Sequence, residues 1–165
     1  MQARRLILLV ISALLAGAAQ AQGSASAVAS CTIVTPLQVQ NEGPLAFGAL
    51  SVGSTSGGAV SVEPWGERSS QGAVVLQAGD WGAARFRVRG EDGAGFVVTL
   101  PERCFLKRTE GPEELLVSDF ACFPGDNGNL TGGVQSISVG ATLHVGAGQA
   151  EGTYVGTFEV AVAYE

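Results

Sequence analysis

The chain has 165 residues, enough for one domain with a proper core, and carries nine basic against fifteen acidic residues for a net charge of −6. An acidic chain without a basic cluster argues against nucleic acid and anionic membrane surfaces as partners. Twenty-four glycines with only 15% charged residues point to a β-rich protein with many tight turns.

The first residues read as a targeting segment. Arg4 and Arg5 precede the apolar run Leu6–Leu15, too short for a membrane span, and Ala19-Gln20-Ala21 fits a small-x-small cleavage site. This predicts a signal peptide over residues 1–21, export, and a mature chain from Gln22 with a net charge of about −8, since two arginines and no acid are removed. Val28-Ala29-Ser30-Cys31 imitates a lipoprotein cleavage box, but Gln20, Gln22, Gly23 and Ser24 separate it from the apolar run, which disfavours lipidation. No other stretch is long and apolar enough for a membrane helix, so no membrane insertion is expected.

Residues 22–32 form a small, polar, flexible arm in which Ala25, Ala27, Ala29, Cys31 and Ile33 alternate. A β-sandwich domain is expected over residues 33–165. Its first strand is Ile33–Val39, interrupted at Pro36, followed by a turn at Asn41–Pro44 and a second strand Leu45–Leu50, in which Gly48 suggests a bulge or a close contact. A loop (Ser51–Gly58), a strand (Ala59–Glu63), a polar connection (Trp65–Gly72) and a strand (Ala73–Gln77) lead to a turn at Gly79–Gly82. Arg85–Arg89 alternates, with Phe86 and Val88 inward and three arginines outward, and Gly90–Gly95 reads as a hairpin turn into Phe96–Leu100. Cys104–Lys107 and Leu115–Cys122 flank a turn at Thr109–Glu113. A loop over Pro124–Gly133, a long strand or strand pair Val134–Val145, a turn over Gly146–Gly152 and a closing strand complete the chain. Many short strands and no sustained helical periodicity indicate an all-β, antiparallel, immunoglobulin-like sandwich.

Three cysteines in an exported chain predict one disulfide. Cys104 and Cys122 flank a hairpin turn, which favours a Cys104–Cys122 bridge, although connectivity does not follow from sequence. The third thiol, Cys31, is then free or pairs between chains.

Chemical motifs are scarce. His144, the one histidine, sits in an alternating strand and reads as a surface residue. A zinc site from His144 and the cysteines would need distant strands and has no Cys-x-x-Cys pair. Asp126-Asn127-Gly128-Asn129 lacks the spacing and final Glu of a calcium loop and reads as a turn. The row Arg85, Arg87, Arg89 reads as a solvated face. No nucleophile elbow, P-loop or dinucleotide fingerprint occurs. No cofactor, metal or enzymatic activity is expected.

The closing stretch carries the clearest signal. Phe158, Val160, Val162 and Tyr164 fall on every second position, Tyr164 is penultimate, and Gly152 is fourteenth from the end. This ending resembles the C-terminal motif of bacterial chaperone–usher fimbrial subunits. Thr32–Leu37, Leu45–Gly48 and Val139–Val145 through to Tyr164 are also similar to secreted bacterial domains of unknown function grouped near common-pilus major subunits. The resemblance implies a sandwich lacking one strand, which a periplasmic chaperone lends and a neighbouring copy then replaces at an outer-membrane usher. It implies that Phe158, Val160, Val162 and Tyr164 line the acceptor groove, with Gly152 at its start. Ala25, Ala27, Ala29, Cys31 and Ile33 would form the donor arm, in a head-to-tail fibre at the cell surface. Two features depart from the family pattern: the arm is mostly alanine, which buries little area per position, and the cysteines are placed differently. The competing expectation is a self-complete secreted or periplasmic β-sandwich acting as a surface or matrix binding module.

Overall fold

The computed structural model describes residues 23–165, so the expected signal peptide over residues 1–21 lies outside the described residues. The chain divides into two units, Met1–Ile33 and Val34–Glu165. In the first, residues 23–33 carry no secondary structure and are exposed throughout.

The second unit is all-β, and no helix occurs among the described residues. Its strands are β1 (Gln38–Gly43), β2 (Ala46–Phe47), β3 (Leu50–Val52), β4 (Gly58–Val62), β5 (Arg68–Gly72), β6 (Val74–Leu76), β7 (Trp81–Gly82) and β8 (Ala84–Arg89). They continue with β9 (Gly95–Thr99), β10 (Arg103–Arg108), β11 (Glu114–Phe123), β12 (Asn127–Asn129), β13 (Val134–Val145), β14 (Tyr154–Val155) and β15 (Ala161–Tyr164). All recorded pairings are antiparallel.

The spine is β13. Ile137, Val139, Ala141, Leu143 and Val145 are all buried, the period-two pattern of a strand with one face in the core. One edge of β13 pairs with β11. The other edge pairs first with β8 and then with β4. The handover falls at Gly140, where an added Cβ would collide with the carbonyl of Val62 and the backbone of Glu63 and Pro64. Backbone cannot move aside as a flexible side chain can. Gly140→Ala is therefore expected to lower unfolding stability by about 3 kcal/mol, the upper end of the usual overpacking range, as measured by urea denaturation.

The core has two clusters that share this spine. Ile137 and Val139 join Ala84, Phe86, Val88, Phe96, Val98 and Leu130. Ala141, Leu143 and Val145 join Phe47, Val60, Val62, Val74, Leu115 and Val117. Leu45 and Phe120 pack against both clusters. The layer that contains β13 is one continuous sheet, in the order β1-β8-β13-β11-β10-β14 with β4 and β5 attached. The facing layer is in pieces: β12-β9-β15, β2-β7 and β3-β6, with no ladder joining them.

Several expectations need correction. The first strand starts at Gln38, not Ile33. The backbone of Thr35 is bound by side chains instead of a ladder: its N–H donates to Glu91 Oε2 and its carbonyl accepts from Tyr164 Oη. Pro36 has no N–H to donate. The expected turn at Asn41–Pro44 is mostly strand, since β1 runs on to Gly43 through a bulge and Glu42 pairs with Arg87 at 2.7 Å. That ion pair also takes the middle of the arginine row. Leu45–Leu50 is two short strands broken around Gly48, whose φ of +73° suits glycine. The polar connection Trp65–Gly72 holds β5, which pairs with β4; its polar residues face solvent and hide the strand pattern. Gly90–Gly95 does not close a hairpin, because β8 and β9 lie in different layers and pair with other strands. The hairpin around Thr109–Glu113 does form, between β10 and β11.

The expected Cys104–Cys122 bridge is absent, and all three cysteines are free thiols. The hairpin register sets Cys104 opposite Val117, while Cys122 lies opposite Val139 on the next strand. Cys122 lies five positions along β11 from Val117, about 17 Å at strand rise, far beyond the reach of a disulfide.

Candidate functional site: an open apolar groove

A groove of about 740 Å³ opens between the short strands β2 and β3 and the segment that carries β14, the edge strand of the continuous sheet. One wall is Pro44–Leu50 and the other is Gly152–Phe158. Its floor is core: Phe86, Cys104, Leu106, Leu115, Val117 and Leu143. Among the described residues no charged side chain lines it, in a chain of net charge −6.

Both walls present main chain that is not in a complete ladder. Among the described residues β2 pairs only with β7, and β3 only with β6. On the opposite wall, β14 is an edge strand bound to β10, and Gly156–Val160 belongs to no ladder. β15 is the edge of the three-stranded sheet, bound to β9 alone. Glu165 N–H donates to the Gly95 carbonyl, so the alternate residues Val162 and Tyr164 direct their N–H and C=O groups to the open side. Unpaired strand edges flanking apolar floor are a binding geometry for another extended segment.

The residues singled out from sequence divide between this groove and its surroundings. Phe158 borders the groove and packs edge-on against Phe86, with centroids 6.2 Å apart, and against Phe120 at 5.1 Å. Val160, Val162 and Tyr164 are half-buried at alternate positions on the second core cluster, but only Val162 and Tyr164 lie in a strand, and all three are away from the groove lining where the resemblance placed them. Gly152 opens its wall with φ +144°, a conformation that favours glycine, and a Cβ there would come within 2.8 Å of Arg108 Nε. That Nε is buried and has no partner among the described residues, while Nη1 of the same side chain bonds Glu113 at 3.1 Å. Tyr164 acts as a latch: its hydroxyl accepts from Glu91 N–H and donates to the Thr35 carbonyl, each at 2.7 Å. Ala25, Ala27, Ala29, Cys31 and Ile33 are all exposed, Ile33 at 93%. Leu45, Leu50 and Leu106 were not anticipated as lining residues. For Leu45 and Leu50 the available signal was the interruption at Gly48, which breaks one strand into two short edges; Leu106, on β10, carried no such signal.

A polar cluster appears elsewhere that sequence spacing did not reveal. Ser118 Oγ lies 2.8 Å from His144 Nε2 and donates to Asp119 Oδ2 at 2.9 Å. Asp119, at φ +52°, sits in the bulge of β11. Its carboxylate approaches the same ring nitrogen, at 3.8 Å, that Ser118 touches. A catalytic triad needs the carboxylate on the opposite ring nitrogen and the serine proton aimed at the imidazole. With its hydrogen on Asp119, Ser118 can only accept from Nε2, so this arrangement does not activate a nucleophile. No group of three or more metal-ligating side chains gathers among the described residues.

Fold and groove together define an antiparallel β-sandwich with an open, strand-wide apolar channel. The chain belongs to the family described as a domain of unknown function, DUF4402, whose model matches residues 37–164. No curated protein and no solved structure matches it.

Proposed function

We propose that this chain is a structural subunit of a surface fimbria or pilus-like assembly, in which the arm of one copy fills the groove of the next by donor-strand exchange. The observation that carries this reading is the groove itself, with core on its floor and open strand edges on both walls. Covering it removes half-exposed Leu45, Leu50, Leu106 and Phe158 from water and pairs main chain on both sides.

The arm suits this groove in charge and in length. Residues 23–41 contain no charged side chain, matching a lining without one. Gly152–Phe158 spans about 23 Å at strand rise, and Gly23–Ile33 reaches about 36 Å. Because donor and acceptor are at different places on each copy, the contact is heterologous and propagates as a fibre. Export, a periplasmic chaperone that lends a strand to the same groove, and an outer-membrane usher belong to this proposal. The role is structural, not enzymatic. The self-complete binding module is the weaker reading, since a closed sandwich would pair both walls internally.

Deleting residues 23–33 provides the test. The full chain is expected to give multimers that survive mild detergent, and the deleted chain a folded monomer. Multimers that persist without the arm would remove its donor role, and a full chain found only as a cooperative monomer would remove the whole reading.

A further inference from the structure

The three free thiols occupy three different settings. Cys31 stands exposed on the arm, in phase with the alternating positions. Cys104 is half-buried and lines the groove floor. Cys122 packs against the second core cluster and is not part of the groove. Only one of the two thiols in the folded unit is therefore presented to an inserted strand.

We infer that Cys31 of one copy and Cys104 of the next form a disulfide that covalently locks the assembly. This inference rests on the donor-strand reading above. A strand side chain that points into the groove meets the floor. The β10–β14 ladder ends at Lys107↔Val155; counting on three positions along each chain would set Cys104 level with Phe158, and both residues line the channel. Seating Cys31 over Cys104 places Ala29 and Ile33 in the adjoining inward positions, about 6.8 Å to either side.

The small residues make the approach close enough. Packed sheets normally stand about 10 Å apart, whereas a disulfide needs Cα atoms about 4.4–6.8 Å apart. Up to Cys31 the arm presents only Ala25, Ala27 and Ala29 inward, beside Ala46, Ala49 and Gly156 of the walls, so no bulky side chain on that side of Cys31 holds it off the floor; Ile33 lies on the other side. The weak apolar grip of an alanine-rich arm and its reach to a floor thiol then have one cause.

The chemistry requires an oxidant, taken to be a disulfide-carrying thiol oxidant of the exported compartment. The Cys31 thiolate attacks the oxidant's disulfide, and one oxidant sulfur leaves as a thiolate. After docking, the Cys104 thiolate attacks Cys31 Sγ, and the second oxidant sulfur leaves. Two protein thiols are oxidised, one oxidant disulfide is reduced to two thiols, and the two protons end on those thiols. Partial burial raises the Cys104 thiol above its ordinary value, which slows its direct reaction with solution oxidants before the arm arrives.

The test uses assembled full-length chain. After blocking free thiols with N-ethylmaleimide and boiling in detergent without reductant, a ladder is expected that collapses on reduction. Peptide mapping should find Cys31 joined to Cys104. Cys31→Ser and Cys104→Ser should each lose the boiling-resistant ladder yet still multimerise under native conditions, and Cys122→Ser should keep the ladder. Multimers whose Cys31 and Cys104 are both alkylated, or a bridge mapped to Cys122 or between two Cys31 residues, would overturn the lock but leave strand donation standing. Absence of multimers in the parent chain would overturn both.

A second measurement does not depend on polymer yield. A peptide of residues 23–36, activated at Cys31 as a thionitrobenzoate mixed disulfide, is added to the Cys31→Ser chain. Release of thionitrobenzoate is expected there and in Cys31→Ser/Cys122→Ser, and is expected to be lost in Cys31→Ser/Cys104→Ser. Release unaffected by Cys104→Ser would refute the inference.

Discussion

A chain extended after Glu165 by a flexible linker and a second copy of residues 23–36 is expected to unfold at a higher temperature than its parent. The groove now exposes the half-buried side chains of Leu45, Leu50, Leu106 and Phe158 beside unpaired wall edges. An added strand covers the former and pairs the latter. Glu165 lies seven residues beyond Phe158, about 23 Å along an extended chain. A Gly/Ser linker of roughly 16 residues has a mean span of about 22 Å and can return the graft to the groove. Burying the side chain of Ile33, now 93% exposed, is by itself a contribution of about 1.5–3 kcal/mol. Net of the ordering cost of the strand, a gain of about 2 kcal/mol raises Tm by roughly 4–8 °C in a chain of this size. The control is the same graft with its copy of Ile33 changed to Asp, which places an unpaired charge in an uncharged channel and should abolish the gain. Equal Tm values for parent, graft and control, by calorimetry, would mean that the groove does not accept this segment.

Tyr164→Phe is expected to destabilise the folded unit by about 2 kcal/mol, the sum of two net hydrogen bonds. The ring remains, half-buried on the second cluster, so packing is kept and the loss reports the hydroxyl. That hydroxyl ties β15 to the Glu91 amide and to Thr35, the point from which the chain runs back toward the arm. Amide exchange at Glu91 should accelerate in the variant, whereas exchange at Val139, in the centre of β13, should follow global stability only. Gly90 fits the same contact, since a Cβ there would strike the tyrosine hydroxyl.

The latch has a pH dependence as well. Hydrogen bonding from the Thr35 side chain and backbone holds the exposed Glu91 carboxyl below its ordinary value, against smaller opposing effects of desolvation and Asp92. A carboxyl lowered in the folded state contributes stability that is present above its unfolded titration and is lost as pH falls through the folded one. Acid titration should therefore loosen Thr35 before the core, visible as earlier exchange at that end of the sheet. An unfolding profile identical in wild type and Glu91→Gln through the acid range would contradict this.

Much of the fold was legible because burial was periodic. β13 reads directly from Ile137, Val139, Ala141, Leu143 and Val145, and β8 from Phe86 and Val88. β5 was not legible, because Ser69, Ser70 and Gln71 face solvent on an edge strand and leave no apolar trace. Gly90–Gly95 misled because a glycine-rich turn looks the same whether the next strand pairs with the last one or crosses to the other layer. The Ser118–Asp119–His144 cluster depends on a cross-strand register, with Ser118 opposite Thr142, that no local pattern encodes. Within the groove, Phe158 and Gly152 were legible, and the floor was not, since Cys104, Leu106, Leu115 and Val117 look like any core positions.

From the sequence alone follow the all-β class, the alternating closing strand, the uncharged alanine-rich arm and the odd cysteine. Each is a property of neighbouring residues, where side-chain periodicity and backbone preference act over a few positions. Pairing decided the rest. The β10–β11 register, not the spacing of the cysteines, kept Cys104 and Cys122 apart. The ending of the β2, β3 and β14 ladders after one partner each opened the groove and left a free edge on both walls. Hydrogen bonds between strands distant in the chain set those features, and such bonds depend on which edges meet, a choice made by the packing of the whole core.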